Sequence, residues 1–571
     1  MYSDIKSVQL LVALLKQYSI SKVVVSPGNR NVPIVHSLEQ DPFFTTYSVV
    51  DERSAGFFGI GLIQRYREPV AICCTSGTAV CNYYSAIAEA YYQKLPLLVI
   101  SADRNPYYLN QDEEQMVPQT EGFTKVTKAI VNLPMCRDTA DERVCYRKIC
   151  EAILELNHHG CGPVQINVPM ETQISSFHTP ELPDIRAIQR HHLDEDWSAL
   201  ADMLRAHKVL VLYGQASPLS AEDTSLVEEF ARKTGAVIAV DVLSNLQCAG
   251  TIPTFHLSRV ITEEFFIQNL KPDIVITLNS GYITYIRRYL KCSKATMAHW
   301  AVNENGNITD TFQCISDVFE ASPLEFMKKI AETIVEKIPE ENDYYLTWKE
   351  QVNKLDADTA AIPYSNLLLA REFCGVLPKH SKLHVANSSS VRMIAHFDLD
   401  PSVEVFCNRG TNGIDGSVSA YVAMAATSDV PAYLLVGDLS FFYDMNALWN
   451  NYISPNMRIV LNNNAGATLF HYTVGKENVP TLNQNIAAEH NATAKGWVES
   501  RGFDYLAVNC ESELKTAMDE LSKSTRDKPL FVEVFTDKES DACVLRKFYE
   551  GDTRKAPKDV GKAILKSIFS R

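Results

Sequence analysis

Basic charge, long apolar runs, paired cysteines and repeats are all scarce in this chain of 571 residues, and each scarcity removes a class of function. Lys and Arg number 54 against 69 Asp and Glu, a formal net charge of −15. A nucleic-acid partner needs a basic surface to meet its phosphates, so none is expected. No apolar stretch is long enough to span a bilayer. The opening MYSDIKSVQLLVALLKQY lacks a basic leader region and reads as an amphipathic helix, not a signal peptide. The 14 cysteines include no CxxC pair and no His/Cys spacing typical of zinc. They read as small buried hydrophobes of a reducing, cytoplasmic setting, with Cys73-Cys74 inside a core strand. There is no short-period repeat and no low-complexity tract. The final KDVGKAILKSIFSR is basic and amphipathic and reads as a packed last helix with a solvated face; surface contact with a membrane is the alternative, and stable insertion is not expected.

What is present is an ordinary folded composition, 46% hydrophobic and 22% charged, in a chain too long for one core. Strand-like runs alternate with helical stretches throughout, which implies α/β architecture with parallel, doubly wound sheets. Three units are expected. The first, 1–178, contains SKVVVSPG, TTYSVVDE, PVAICCTSG, PLLVISAD and GPVQINVP. The polar, Pro-containing stretch 174–195 reads as a linker. The second, 196–340, contains KVLVLYG, AVIAVDV and DIVITLNSG, and the polar EKIPEENDYY marks its end. The third, 360–571, contains KLHVANSSS, AYLLVGDL, MRIVLNNN and PLFVEVF. The middle unit's LYGQAS lacks the spaced glycines of a dinucleotide fingerprint, so no such cofactor is expected there.

The chemistry concentrates at Gly437-Asp438-Leu439-Ser440 and Asn462-Asn463-Asn464, each ending an apolar run. Both runs read as buried parallel strands, so Asp438 and Asn463 fall at carboxyl ends, where open α/β sheets bind ligands. DMNALWNNY between them reads as the crossover helix. A carboxylate with an amide oxygen suits Mg²⁺, which keeps water and ligand phosphates in its octahedron. The pair thus points to a metal-bound diphosphate, although either motif alone is more often a Gly-Asp turn or an Asn loop or N-cap. Glu52 closes TTYSVVDE and opens the helical RSAGFFGIGLIQRY; on its own it also suits a carboxylate placed on a helix dipole.

Together these halves resemble thiamine-diphosphate enzymes, which pair an essential Glu in a pyrimidine-binding domain with an aspartate–asparagine metal motif in a diphosphate-binding domain. The strings SPGNR (26–30), DERSAGFFGIGL (51–62), CTSGTAVCNY (74–83), SADRNP (101–106), NSSSVR (387–392), NRGTNGIDG (408–416) and GDLSFFYDMNAL (437–448) narrow the likeness. In order and across most of the chain, they resemble the 2-succinyl-5-enolpyruvyl-6-hydroxy-3-cyclohexene-1-carboxylate synthase family. The resemblance implies a transferase of menaquinone biosynthesis joining 2-oxoglutarate to isochorismate with loss of CO₂. It implies thiamine diphosphate and Mg²⁺ or Mn²⁺ as cofactors, with Asp438, Asn463 and the Ala465 carbonyl as metal ligands. Glu52 is implied as the catalytic acid at N1′ of the cofactor's pyrimidine. Ser388, Ile414, Gly437, Leu439, Ser440, Leu469 and Phe470 are implied as further cofactor contacts, Ile414 lying under the bend of the cofactor.

For the acidic substrates the resemblance implies Asn29, Arg30, Arg104, Gln115, Arg287, Arg288, Ser388, Arg392 and Arg409. Arginine suits this task because its planar fork binds a carboxylate bidentately. Leu439 stands where most of the wider superfamily has Gly, Asn29 where the family usually has Ser, and Thr411-Asn412 where smaller residues are usual. The family's cofactor lies between two subunits, so a homodimer or homotetramer is implied. Two other readings compete: another thiamine-diphosphate-dependent 2-oxo-acid decarboxylase or carboligase, and a cofactor-binding protein without catalysis. Retention of Glu52, Asp438, Asn463 and Ile414 together speaks against the second.

Overall fold

The computed structural model describes residues 1–171, 176–259, 261–293, 297–335, 342–354 and 361–550. The basic tail 558–571, and the junction residues 174, 175 and 336–341, lie outside the described residues. The chain forms two compact units, Met1–His191 with 308–318, and His192–Asn307 with 319–571.

The first unit is built on six strands in the order Thr45–Ser48, Lys22–Val25, Val70–Cys74, Leu97–Asp103, Val164–Pro169, Ala129–Asn132, all parallel. Numbered along the chain this is 2-1-3-4-6-5, a doubly wound sheet whose order reverses between Lys22–Val25 and Val70–Cys74. The central strands VAICC and LLVISAD are buried along their whole length, as strands covered on both faces must be. The opening helix, Lys6–Gln17, buries every residue from Ser7 to Leu15, so it is embedded more deeply than its amphipathic pattern implied.

In the second unit, Thr251–Pro253, Val237–Val240, Val209–Tyr213, Ile274–Leu278 and Ala298–Asn303 are five neighbouring strands of a seven-stranded sheet, in the order 3-2-1-4-5. Another runs Glu404–Phe406, Lys382–Val385, Ala432–Gly437, Met457–Asn463, Leu530–Phe535, Asp504–Val508, again 2-1-3-4-6-5. These two sheets share apolar packing: Leu243, Phe255 and Ile283 join a cluster with Leu383, Val385, Val391 and Tyr433. Asn245 binds the edge of Glu404–Phe406 as a strand would, donating to Val405 O at 2.8 Å and accepting from Val405 N at 2.7 Å.

Each strand expected from the sequence is present, but AHWAVN, ISDVFE and DYLAV, five or six residues long, were not expected, and several shorter ones had no clear signal. AIVN, TIP and EVF are three or four residues long, too short for a pattern to stand out. Residues 189–192 of the expected linker form a strand. The expected crossover helix DMNALWNNY is not where the helix lies. Asp438–Asp444 is helical from the aspartate itself, and Met445–Trp449 is a 3₁₀ turn. Burial of Phe441 draws DLSFFYD into the helix, whereas Trp449 remains 71% exposed. Among the described residues, no helix is long and apolar enough to cross a membrane.

Candidate active site

At the carboxyl edge of the six-stranded sheet in the second unit, backbone strain and oxygen ligands coincide. Gly437 ends its strand and caps helix Asp438–Asp444. Asp438 is buried; Oδ1 accepts from Leu439 N at 2.7 Å and Oδ2 from Gly466 N at 2.9 Å. His490 Nε2 lies 3.1 Å from the same Oδ2. One strand over, Asn463 donates through Nδ2 to Ala492 O at 2.9 Å and to Glu533 Oε1 at 2.7 Å. Both partners can only accept, so the amide is oriented and Oδ1 is the atom left toward Ala465, whose N–H lies 3.2 Å away. Glu533 itself is fully buried and holds Thr493 Oγ1 and Tyr505 OH, each at 2.8 Å, and Ala494 N at 3.1 Å.

Ala465 has φ 59° and Ser388 φ 70°, left-handed values that side chains adopt at a cost. Both sit on turns leaving strands of this sheet at its carboxyl edge, and Asn412 (φ 61°) is strained in the NRGTNGIDG loop. That loop is tied down by Asn387, which donates to Gly413 O at 2.7 Å and accepts from Arg409 Nη1 at 3.2 Å. Ser440 Oγ donates to Ile414 O, fixing half-buried Ile414 beside the Asp438 helix. Leu469 and Phe470 are half-buried on the short helix Thr468–Thr473.

The residues fit a metal-bound diphosphate. Three oxygens, from Asp438, Asn463 and the Ala465 carbonyl, come from neighbouring strand ends, a hard donor set for Mg²⁺ or Mn²⁺. Among the described residues, the Ala465 carbonyl accepts from His490 N alone, at 3.4 Å. Gly437 has φ −83°, which any residue adopts, and an added Cβ would come no nearer a neighbour than Ser390 Oγ at 4.0 Å. Backbone geometry does not demand glycine there; the bare strand end is open space for a ligand to approach.

Arginines gather close by. Arg409 reaches Tyr282 O at 3.3 Å, and burial lowers its affinity for a proton, with Arg392 adding like-charge repulsion. Arg392 Nη1 donates to Ser388 O at 2.8 Å. Arg287, also pushed down by burial, packs 5.5 Å over the Tyr282 ring. Arg288, next along the same helix, instead faces Glu263 at 3.9 Å. The described partners of Arg392 and Arg287 include no carboxylate, an arrangement that suits anionic ligands.

In the first unit, Glu52 is the first residue of helix Glu52–Tyr66, whose cap Asp51 accepts from Ser54 N at 2.9 Å. Glu52 Oε2 accepts from Asn82 Nδ2 at 3.0 Å. At the switch point of this sheet, Arg30 is 5% exposed; its N–H donates to Thr75 Oγ1 at 3.0 Å and Nη1 to Glu171 O at 2.9 Å. Gly28 is obligatory here, since a Cβ would stand 2.3 Å from that of Thr75. Burial and then the charge of Arg104 lower the Arg30 proton affinity. Arg104 pairs with Glu113, and its Nε is buried without a partner among the described residues. Asn29 and Gln115 are exposed, Gln115 at φ 52°.

Several residues of these sites carried no sequence signal. Glu533 lies inside the strand LFVEVF and His490 in an irregular stretch, and Asn387 was passed over beside Ser388. Only a charged residue interrupting an apolar strand run could have drawn attention to Glu533.

Comparison with known proteins supplies the family. Residues 5–122 match the model of the thiamine pyrophosphate enzyme N-terminal TPP binding domain. The 2-succinyl-5-enolpyruvyl-6-hydroxy-3-cyclohexene-1-carboxylate synthase of Phocaeicola vulgatus is 40% identical over 559 residues, 96% of this chain and 99% of that protein. The synthase of the same name from Bacteroides fragilis is 40% identical over 562 residues, with the same coverage. The chain belongs to the 2-succinyl-5-enolpyruvyl-6-hydroxy-3-cyclohexene-1-carboxylate synthase family. A more distant member, from Flavobacterium psychrophilum, is 32% identical over 572 residues, 97% of this chain and all of its own length. The synthase family is one of thiamine-diphosphate-dependent enzymes, and the three parallel sheets are the architecture expected of it.

Proposed function

We propose that this protein joins 2-oxoglutarate to isochorismate with loss of CO₂, forming 2-succinyl-5-enolpyruvyl-6-hydroxy-3-cyclohexene-1-carboxylate for menaquinone biosynthesis. The observation carrying this reading is an oxygen triad with Asp438 and Asn463 buried, beside arginines whose described partners include no carboxylate, in a member of the synthase family. Thiamine diphosphate, when bound, supplies the carbanion chemistry that lets a 2-oxo acid lose CO₂ and form a new carbon–carbon bond. Asp438, Asn463 and the Ala465 carbonyl hold Mg²⁺ or Mn²⁺ against its diphosphate. Gly437, Leu439, Ser440, Leu469, Phe470 and Ile414 would line the cofactor. Glu52 would hold a proton at N1′ of the pyrimidine, and positioned proton transfer of this kind typically contributes about 10²- to 10⁴-fold. Arg392, Arg409, Arg287, Ser388, Arg288, Arg30, Arg104, Asn29 and Gln115 bind the acidic substrates.

The reading includes three domains, 1–178, 196–340 and 360–571, and a homodimer or larger assembly in which Glu52 of one subunit serves the metal site of another. It places the enzyme in the cytoplasm. The test is consumption of 2-oxoglutarate by purified protein with thiamine diphosphate and Mg²⁺, with and without isochorismate. Dependence on isochorismate, with a product holding both carbon skeletons, supports the synthase. Equal CO₂ release without isochorismate identifies a 2-oxo-acid decarboxylase instead.

A further inference from the structure

Behind Arg392 lies a small cavity of about 30 Å³, lined in part by Tyr285, Asn366, Ser389, Thr468 and Leu469. Its wall contains a group that the fold leaves unsatisfied. Asn366, first residue of helix Asn366–Val376, is 4% exposed, yet neither Oδ1 nor Nδ2 finds a partner among the described residues. The backbone does not explain the residue: its N–H already donates to Asp541 Oδ1 at 2.9 Å, a bond any side chain permits. The helix is capped by Ser365, which accepts from Leu368 N at 3.3 Å, so the amide is not needed as a cap. A buried amide with both ends idle is expensive, and such groups in native proteins have a reason outside the fold.

We propose that Asn366 is a specificity-determining residue: Nδ2 donates to the carboxylate that Arg392 draws into this cavity, and Oδ1 accepts from a hydroxyl or water beside it. This deepens the proposed function and rests on it, because it requires an acidic substrate at Arg392. The chemistry is complementary. Arg392 spends Nη1 on Ser388 O, leaving the rest of its fork for an anion. The cavity is large enough for one carboxylate group or a water, and not for a bulkier head. Ser389 and Thr468 supply the hydroxyls, and Leu469 and Tyr285 the apolar flank along which a short methylene chain can lie.

The experiment is calorimetric titration of the full-length protein first with thiamine diphosphate in the presence of Mg²⁺, and then, once loaded, with glutarate. Asn366→Leu keeps the volume and removes the amide. It is expected to weaken glutarate about tenfold to a hundredfold, the worth of one hydrogen bond to a charged group, and to leave thiamine diphosphate affinity unchanged. Asn366→Asp, which sets an anion in the cavity, is expected to weaken glutarate further. The unfolding temperature of the Leu variant is expected to equal or exceed that of the parent, because an unsatisfied amide has been removed. Unchanged glutarate affinity in both variants overturns the assignment while leaving the proposed function intact. Equal weakening of glutarate and thiamine diphosphate, or a fall in unfolding temperature with both variants, makes Asn366 a structural residue and likewise overturns it. Failure of the parent protein to bind glutarate at all counts against the assignment and against the proposed function together.

Discussion

Glu533 decides whether Asn463 presents oxygen or nitrogen to a metal, and that makes it the most informative residue to alter. The carboxylate is fully buried and accepts from four donors: Asn463 Nδ2 at 2.7 Å, Thr493 Oγ1 and Tyr505 OH at 2.8 Å, and Ala494 N at 3.1 Å. In Glu533→Leu, Ala494 N and one N–H of Asn463 lose their acceptor in a place without solvent. At about 1–3 kcal/mol per orphaned donor, the expected destabilisation is about 2–6 kcal/mol. In Glu533→Gln one oxygen remains, and the Thr493 and Tyr505 hydroxyls can turn to accept from the new NH₂, so the loss falls to about 1–2 kcal/mol. Because Gln keeps an oxygen on Asn463 Nδ2, the Glu533→Gln protein should bind Mg²⁺ nearly as the parent does. In Glu533→Leu only Ala492 O still orients the amide, and loss of such an orienting partner typically lowers metal affinity about 10- to 100-fold. The assay is a Mg²⁺ titration at saturating thiamine diphosphate, following cofactor binding by intrinsic fluorescence, with folding checked by circular dichroism. A folded Glu533→Leu protein whose Mg²⁺ midpoint matches the parent would refute the argument that Glu533 sets the amide.

Further outcomes follow from the same geometry. Glu52→Gln should keep cofactor binding and lose about 10²- to 10⁴-fold in turnover, measured as isochorismate-dependent 2-oxoglutarate consumption; retained turnover removes Glu52 from the proton path. Gly437→Val should unfold at nearly the parent temperature, since the position is open and of ordinary φ, while cofactor affinity collapses because the added carbons fill the approach. Stability should fall on acidification. Burial pushes His384 down to about 4, so between the unfolded value of about 6.5 and that point the unfolded chain holds the extra proton. The contribution lost by pH 4.5 is about 2–3 kcal/mol, and His384→Asn should flatten that part of the urea-midpoint curve. Asp541 works in the opposite sense: burial raises it to about 6, the folded state holds its proton longer, and stability from this group declines as pH rises from about 4 to 6. Asp541→Asn should therefore steepen the acid-side loss; an unchanged slope would show that Asp541 ionises alike in both states.

Much of this protein is written in local pattern. Runs such as VAICC, LLVISAD and MRIVLNN are mostly apolar and buried throughout because both faces of a parallel sheet are covered, and that burial is legible without coordinates. Asp438 and Asn463 were locatable because ligand-bearing residues follow such runs at strand ends. The helix after Asp438 was misplaced because DLSFFYD and DMNALWNNY are both plausible helices, and only the packing of Phe441 separates them. Strands of three or four residues escaped because their identity depends on a neighbour's edge, as Asn245 pairing with Val405 illustrates. The sequence alone determined the sheets, their parallel sense and the chemical types at their carboxyl ends. Only the tertiary structure decided which atoms those residues present. Glu533 lies 70 positions from the asparagine it orients, and Asn366 is separated by 26 from the arginine whose cavity it lines. Hydrogen-bond direction and burial are properties of such distant pairs, and local sequence pattern does not carry them.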